Sequence, residues 1–326
     1  MSRRLATIPA LLAILALALP AGALAADGDA QSDSGHEGPA KATVKIKLGK
    51  LKRGHAEIYS KVPVYGTLKP YVPGQKVEVT FYLNGRKEVR HKLAVGKGKH
   101  GTGKFRAQIR VTENGKYAVA AKHRANAALG ADSTVRKSWK VSFPALRQGQ
   151  CGPVVIGFKK AMRKMGYIVN SGSCFGGKTA RGVLAYRKVN DLSRTTQAPA
   201  GLVKNVFAGR GAYEVRHPGA GNHLEAPLSK QVLVFASGDK VRWIYPISSG
   251  KPSTPTVTGH FRFIRTEPGY NNHGMYYSWY FYGGYAVHGY ESVPDYPASH
   301  GCLRTFIADQ PEVYERINYG EDIFIW

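Results

Sequence analysis

Apolar and polar residues alternate through much of the chain after residue 40. The stretches ATVKIKL, KVEVTFYL, FRAQIRV, KYAVAAKH and RKSWKVSF follow a period of two, and turn sequences rich in glycine, proline and asparagine separate them. This period is typical of half-buried β-strands, and repeated short strands at this spacing favour an antiparallel sandwich. We therefore predict a β domain over residues 41–143, with the role of a spacer or binding module.

The period changes to that of a helix between residues 145 and 208. The stretch TARGVLAYRKVN predicts one helix, with Thr179 as its N-cap. The stretch VVIGFKKAMRKMGY predicts another, because four apolar residues recur on one face: Val154, Phe158, Met162 and Met165.

Residues 214–326 return to long β segments. They include a hairpin with its turn at Ser237–Asp239 and one possible helix in DQPEVYERI. The predicted fold is therefore multidomain and mainly β. It has an N-terminal immunoglobulin-like β-sandwich, a small helical domain and a C-terminal β-rich domain.

The N-terminus has the pattern of a secretory signal peptide. Arg3 and Arg4 precede an apolar run, and ALAAD supplies a small-residue cleavage site. We predict a signal peptide over residues 1–26, with an uncleaved membrane anchor as the alternative. The small, polar residues 27–40 predict a disordered linker. These features predict export across the cytoplasmic membrane, to a cell wall or periplasm-like space.

The chain is strongly basic, with 47 Lys and Arg against 21 Asp and Glu. A charge of this size attracts polyanions, which outside a cell membrane are anionic wall polymers. Basic residues occur throughout the sequence. We therefore expect retention in an anionic wall and no nucleic-acid partner, while the oligomeric state stays open.

Three cysteines in an exported chain leave one without a partner. Cys151 and Cys174 lie close in sequence and could form a disulfide, so Cys302 is expected to be a free thiol.

The sequence around Cys302 holds groups that could activate a thiol nucleophile. His288 and His300 could serve as base and supporting group, and Arg304 could bind a substrate carboxylate. In an extended backbone, His300 and Cys302 would point to the same side. Gly301 would let the backbone approach a substrate, and its N–H and that of Cys302 could stabilise an oxyanion. A zinc site formed by the two histidines and the cysteine is the alternative, although no further ligand stands at a suitable spacing; we expect neither metal nor cofactor.

The segment GSCFGGKT, residues 172–179, fits a phosphate-binding loop letter for letter. Such a loop needs a buried strand before it, a helix after it and a parallel α/β sheet around it. Only the helix is expected here, so we do not predict nucleotide binding.

Several motifs in order resemble the L,D-transpeptidase (YkuD-type) catalytic domain, in its actinobacterial form. They are SSGKPSTPTVTGHFRF, GMYYSWYFYGGYAVHG and YPASHGCLR, and the resemblance covers residues 214–326. It implies an exported acyltransferase without a cofactor that forms 3→3 peptidoglycan cross-links through a thioester, with release of D-alanine, and that carbapenems inhibit. An L,D-carboxypeptidase is the alternative outcome.

The resemblance also implies the roles of individual residues. Cys302 would be the nucleophile and His288 the general base and acid, with the Gly289 carbonyl orienting the imidazole. Ser299 and His300 would shape the pocket, and Arg304 would meet the stem peptide. The aromatic run from Tyr276 to Tyr285 would supply strand core and part of a lid over the substrate.

Residues 145–208 resemble the small helical peptidoglycan-binding domain. Matching positions include Leu146, Gly149, Gly152, Gly166 and Tyr167, whereas DLSRTTQAPAG departs from the pattern. Two other functions are alternatives for the whole chain. A papain-like wall peptidase places its cysteine before its histidine, and here His288 precedes Cys302. A non-catalytic wall-binding protein would not need both residues.

Overall fold

A computed structural model describes residues 38–326 of the chain. The predicted signal peptide, residues 1–26, and residues 27–37 of the predicted linker lie outside this range. At the end of that linker, Ala40 exchanges backbone hydrogen bonds with Ala128 and Gly130. No helix among the described residues has the length and apolar content needed to cross a membrane.

Two sheets form the N-terminal β region, and their inward-facing apolar residues belong to one core. The first sheet has the strand order β1 (Thr43–Leu48), β3 (Lys61–Lys69), β7 (Gly103–Arg110) and β6 (Gly96–Lys97). The second has the order β2 (His55–Glu57), β10 (Lys137–Ser142), β8 (Lys116–His123), β4 (Lys76–Leu83) and β5 (Arg86–Ala94), and β9 (Asp132–Ser133) pairs with β8. The alternation read from the sequence places apolar residues inward, as on β7.

Three helices follow. They are α1 (Pro153–Lys164), α2 (Gly177–Val189) and α3 (Ala200–Phe207). Phe158 and Met162 are fully buried on α1, and Val155 takes the buried position that we assigned to the half-buried Val154. The N-cap of α2 is Gly176, so the assignment of Thr179 is wrong. Thr179 lies in the first turn, where its hydroxyl donates to Asn170 Oδ1 at 2.5 Å.

The phosphate-loop motif has a structural role in this region. Cys174, inside the motif, forms a disulfide with Cys151. The Lys159 ammonium donates to the carbonyls of Ser171, Gly172 and Cys174 at 2.7–3.0 Å. The loop therefore directs carbonyls, not N–H groups, toward one point, and it does not follow a strand of a parallel sheet.

Two further sheets form the C-terminal region. One has the order β13 (Lys240–Pro246), β12 (Val232–Ser237), β11 (Asn222–Ala226), β19 (Asp322–Ile325) and β14 (Gly259–Arg262). The other has the order β15 (Arg265–Tyr270), β16 (Tyr276–Tyr282), β17 (Tyr285–Tyr290) and β18 (Leu303–Phe306), and the helix α4 (Gln310–Arg316) follows β18.

The mainly β fold with a few helices is confirmed, as are the helix in DQPEVYERI and the β12–β13 hairpin with its turn at Gly238–Asp239. The immunoglobulin topology and the boundaries 41–143, 145–208 and 214–326 stay predictions. One apolar core runs from the N-terminal sheets through the helices to Val232, Val234 and Ile244. A second core lies between the two C-terminal sheets and includes Val287 and Leu303.

Candidate active site

His288 lies on β17, where its imidazole is almost wholly buried, with 2% exposure. Its Nδ1 is 2.9 Å from the carbonyl oxygen of Gly289. A carbonyl only accepts hydrogen bonds, so the proton resides on Nδ1 and Nε2 keeps its lone pair. Burial lowers the pKa of His288 to about 4, and the Arg304 charge acts in the same direction, while the Gly289 carbonyl opposes them. The imidazole is therefore neutral at neutral pH and can accept a proton.

Cys302 immediately precedes β18, which pairs with β17 in parallel. The register sets Val287 opposite Leu303, and both point into the second core. Because side chains alternate across a strand, His288 and Arg304 point to the opposite face. Cys302 packs on that same face, against the cluster of Met275, Tyr280 and Ala286. The strand pairing thus brings the thiol and the imidazole to one side of the sheet.

The apolar surroundings of the thiol keep it protonated. Burial raises the pKa of Cys302, and the Ala286 N–H and the Arg304 charge only partly oppose this. The Sγ lies 3.6 Å from the carbonyl oxygen of Gly284, toward which the thiol donates. The resting site is therefore a thiol beside a neutral imidazole.

The loop before Cys302 is held by Ser299. Its hydroxyl donates to the Cys302 carbonyl at 2.6 Å and accepts the Gly301 N–H at 3.0 Å. The expectation that the Gly301 N–H faces an oxyanion is therefore wrong, since Ser299 already engages it. Gly301 has φ +117°, and a side-chain carbon there would lie 2.2 Å from the ring of Tyr285. This close approach requires glycine at position 301.

His300 and Cys302 do not lie on a common extended strand. The backbone bends through residues 300–302, so the extended geometry assumed for His300 and Cys302 is wrong, and the His300 side chain is exposed. Among residues 38–326, no three His, Cys, Asp or Glu side chains are grouped closely enough to hold a metal ion. The zinc alternative therefore lacks a ligand set in the described structure.

Arg304 and two of the predicted tyrosines border the site. The guanidinium of Arg304 lies 4.0 Å from the ring centre of Tyr290, and the His288 ring meets the same tyrosine edge-on at 5.6 Å. Tyr276 lies opposite Gly289 in the β16–β17 ladder, and Tyr285 packs against Gly301.

Two residues of the site were missed from the sequence, Met275 and Tyr290, while Tyr280 was named only as a member of the aromatic run from Tyr276 to Tyr285. Tyr290 lies two residues after His288, so the strand alternation could have placed it on the same face. Tyr280 could be found only from the β16–β17 register, in which it pairs with Ala286. Met275 lies just before β16 and carries no comparable sequence signal.

The segment after β13 is hydrogen-bonded to the loop that contains Cys302. Ser248 exchanges backbone hydrogen bonds with Arg304 at 2.9 and 3.0 Å, and the Ser249 carbonyl accepts the N–H groups of Ala298 and Ser299. The SSGK motif, residues 248–251, therefore fixes residues 298–304 through backbone hydrogen bonds.

Comparison with known proteins identifies relatives of the C-terminal region. Residues 221–325 match the family model described as the L,D-transpeptidase catalytic domain, YkuD. The crystal structure of the L,D-transpeptidase from Xylanimonas cellulosilytica DSM 15894 is similar at 26% identity and a TM-score of 0.52, over 56% of this chain and 98% of that one. No curated protein matches the sequence significantly.

Two further solved structures share less with this chain. The L,D-transpeptidase from Stackebrandtia nassauensis has 16% identity over 56% of this chain and 94% of that one, with a TM-score of 0.34. The L,D-transpeptidase from Mycobacterium smegmatis has 11% identity over 87% and 99%, with a TM-score of 0.29. The family match and the Xylanimonas structure, together with the predominantly β fold, identify residues 221–325 as an L,D-transpeptidase catalytic domain of the YkuD family, and thus the acyltransferase part of an enzyme.

Proposed function

We propose that this protein is an exported cysteine L,D-transpeptidase that forms 3→3 cross-links in peptidoglycan through a thioester on Cys302. The observation that carries the proposal is the hydrogen bond from His288 Nδ1 to the Gly289 carbonyl. It leaves Nε2 as a base on the face of β17 and β18 where the thiol of Cys302 lies.

In the first step, the Cys302 sulfur attacks the carbonyl carbon of the diaminoacyl residue in a tetrapeptide stem. His288 Nε2 takes the thiol proton, so the thiolate forms only as the new C–S bond forms. The C–N bond to D-alanine then breaks, and His288 returns the proton to the leaving amine. The product of this step is a thioester and free D-alanine.

In the second step, an amine of another stem attacks the thioester carbonyl. A C–N bond forms, the C–S bond breaks, and the amine proton passes through His288 back to the Cys302 sulfur. The result is a cross-link between two diamino acid residues. If water attacks instead, the same site is an L,D-carboxypeptidase.

The surrounding residues supply binding and charge stabilisation. The Gly289 carbonyl stabilises the imidazolium during each transfer, because it accepts the Nδ1 proton throughout. In this proposal Arg304 binds a stem carboxylate, and the Cys302 N–H donates to the oxyanion. Tyr276 and Tyr285 border the substrate, while Ser299 holds the loop and His300 lies at its exposed rim.

We further propose that residues 1–26 direct export and that the enzyme works in the cell wall. Its principal partner is peptidoglycan, as donor and acceptor stems. The basic charge adds affinity for anionic wall polymers, and the helical residues 145–208 add wall contact.

Intact-protein mass spectrometry with a disaccharide-tetrapeptide tests the reaction. We expect wild type to form a Cys302 acyl adduct, release D-alanine and produce dimers, while Cys302→Ala does none of these. His288→Gln should keep the fold and lose the adduct. D-alanine release without dimers, even with excess acceptor stem, would make the protein a carboxypeptidase, and no turnover by a normally labelled thiol would contradict the enzyme assignment.

A carbapenem gives a second readout of the same thiol. We expect a stoichiometric mass adduct on wild type and none on Cys302→Ala. An unmodified wild-type protein after incubation with excess carbapenem would count against Cys302 as the acylated group.

A further inference from the structure

The positive charge of this chain is concentrated in the N-terminal β region. Residues 41–143 hold 24 of the 47 Lys and Arg but only five of the 21 Asp and Glu, a net formal charge of +19. The basic residues that occur throughout the sequence are therefore far from evenly distributed. The active site of the C-terminal domain does not explain this charge.

Within that region, the charge is further divided between the two sheets. Strands β1, β3, β6 and β7 of the first sheet carry eight Lys and Arg and no Asp or Glu. Of the five acidic residues, four lie in strands of the second sheet: Glu57, Glu78, Glu88 and Asp132. Asp132 reaches the first sheet only through the Val44 N–H, which its carboxylate accepts at 2.6 Å. The outer face of the first sheet is therefore a cationic surface.

A groove of about 630 Å³ lies on this face, lined by Lys45, Lys47, Tyr65, Thr67, Lys104 and Arg106. The strand register arranges them in two rows, Lys47–Tyr65–Arg106 and Lys45–Thr67–Lys104. Strands lie about 4.8 Å apart and alternate residues about 7 Å apart, so four cations stand at the corners of a rectangle of roughly 10 by 7 Å.

An exposed aromatic side chain lies midway along one long edge of this rectangle, between Lys47 and Arg106. Tyr65 is 47% exposed, and the Arg106 guanidinium lies 5.5 Å from its ring centre. None of the four corner cations forms a salt bridge with any residue of 38–326. Their charges are therefore free to meet an external anion.

We propose that this groove binds a linear phosphodiester-linked wall polymer of polyol or sugar units. The inference rests on the proposed export of the chain, but not on its transpeptidase activity. Three of the four corner cations are lysines, which bind phosphate as point charges, and their spacing fits the recurring charges of a linear polyanion. The Tyr65 ring offers an apolar face to the polyol or sugar carbons between two phosphates.

Single-stranded nucleic acid is also a phosphodiester polymer, but its binding sites use successive aromatic rings as platforms for successive bases. The groove lining holds one exposed ring, Tyr65, since Phe105 is buried in the core. The surface therefore fits a polymer without bases.

The test measures binding of the purified full chain to fluorescent poly(glycerol phosphate) by anisotropy at several salt concentrations. We expect Lys45→Gln/Lys104→Gln to weaken binding at least tenfold and to flatten the dependence of log Kd on log salt, because fewer counterions are released. Tyr65→Ala should weaken binding without changing the salt dependence.

The matched control is Lys116→Gln/Lys140→Gln, which removes the same charge from two exposed, paired residues of β8 and β10. It should change Kd less than twofold. Equal weakening by both double variants would mean that net charge alone attracts the polymer, and it would overturn the proposed site.

Two competitor polymers decide the class of ligand. They are polygalacturonate, a polycarboxylate, and a single-stranded oligodeoxynucleotide. If either polymer bound more tightly than poly(glycerol phosphate), and Lys45→Gln/Lys104→Gln weakened that binding equally, the phosphodiester wall polymer would be overturned as the occupant. Each measurement is repeated in a Cys302→Ala background, in which binding should be unchanged. The proposed polymer binding can therefore be disproved while the proposed transpeptidase activity is confirmed, and the reverse is also possible.

Discussion

Lys188 of α2 donates a hydrogen bond to the carbonyl of Ile247, at 2.8 Å from Nζ. Ile247 directly follows β13 and precedes Ser248, whose backbone pairs with Arg304, two residues after Cys302. Close by, Arg194 donates to the carbonyl of Asp295 at 2.5 Å, in the segment that leads to Cys302. The helical region is therefore joined to both segments that hold the Cys302 loop.

The charge of Lys188 is costly in this position, and this predicts a pH-dependent stability. The ammonium is 2% exposed, and its burial, together with the nearby Arg194 charge, lowers the pKa of Lys188 from 10.5 to about 7, although Asp295 opposes this. Since the unfolded chain binds more protons between these pH values, the free energy of unfolding should rise with pH from about 7 to about 10.5. The rise from this one group is at most about 1.4 kcal/mol per pH unit.

Urea unfolding at pH 7, 8 and 9 measures this effect against Lys188→Met, which keeps the side-chain length without a titrating group. We expect the free energy of unfolding of wild type to rise with pH relative to that of Lys188→Met. Lys160→Met, at an exposed position of α1, is the control and should follow wild type. Parallel pH dependence of Lys188→Met and wild type would show that the lysine is not buried as described.

The protonation states of Cys302 and His288 predict slow labelling of the thiol at neutral pH. The pKa of the thiol is raised and that of the imidazole is lowered to about 4, so no stable thiolate–imidazolium pair forms. The rate of iodoacetamide labelling should rise about tenfold per pH unit through pH 8, because the thiolate fraction rises in that proportion. Since Cys151 and Cys174 are joined, the mass increase reports Cys302 alone. A plateau reached below pH 7 would contradict this description.

Arg304 should influence the same titration. Its charge lowers the pKa of both Cys302 and His288. Arg304→Gln is therefore expected to move the pH profile of iodoacetamide labelling to higher pH. Arg210→Gln removes an equal charge from an exposed position outside the site and should leave the profile in place. An unchanged profile in Arg304→Gln would mean that the guanidinium does not act on the thiol.

Gly301 should tolerate no side chain. Gly301→Ala places a carbon 2.2 Å from the Tyr285 ring at a φ of +117°, so the loop must move and Cys302 with it. We expect a lower melting temperature and loss of acylation by substrate. Gly219→Ala is the matched control, because no atom lies within 4 Å of the added carbon. Normal acylation of Gly301→Ala would show that the loop geometry is not required.

Local sequence patterns predicted the strands and helices of this chain better than they predicted the contacts between those elements. The period-two stretches became strands such as β4, β7 and β8 because alternation alone decides which face is buried. The motif around His288 and Cys302 singled out two side chains that lie on one face of the sheet, because both residue types and their order are specific. Lys188 gave no such signal, since a lysine in a helical pattern is ordinarily solvated, and only the packing of α2 against β13 buries it.

Backbone geometry explains the errors at single residues. The backbone through His300 and Cys302 is not extended because Gly301 adopts a positive φ, which the letters SHGC do not reveal. Thr179 is inside α2 because the preceding Gly176 and Gly177 begin the helix one turn earlier than a threonine cap would. The basic residues of the two N-terminal sheets can be counted in the sequence, but the sequence does not show which of them lie side by side. Only the strand register shows that Lys45 and Lys104 lie on either side of Thr67.

The ion pair between Arg181 and Asp309 should stabilise the junction between α2 and α4. The guanidinium binds both carboxylate oxygens, at 2.5 and 2.6 Å, and the Asp309 side chain is 1% exposed. Arg181→Met leaves this carboxylate buried and unpaired, which costs about 3–5 kcal/mol of unfolding free energy. The double variant Arg181→Met/Asp309→Leu should recover most of that loss, because it removes the buried charge as well.

Urea unfolding of the two variants and wild type measures the coupling between them. Lys230→Met provides the comparison, since it breaks the ion pair with Asp191, whose side chain is 77% exposed, and should cost no more than about 1 kcal/mol. Because Asp309 directly precedes Gln310, which contacts Thr305 beside the carbonyl of His288, the single variant should also slow acylation of Cys302. If Arg181→Met and Lys230→Met lost equally little stability, Asp309 would have to be solvated, and this ion pair would not hold α4 against β16 and β17.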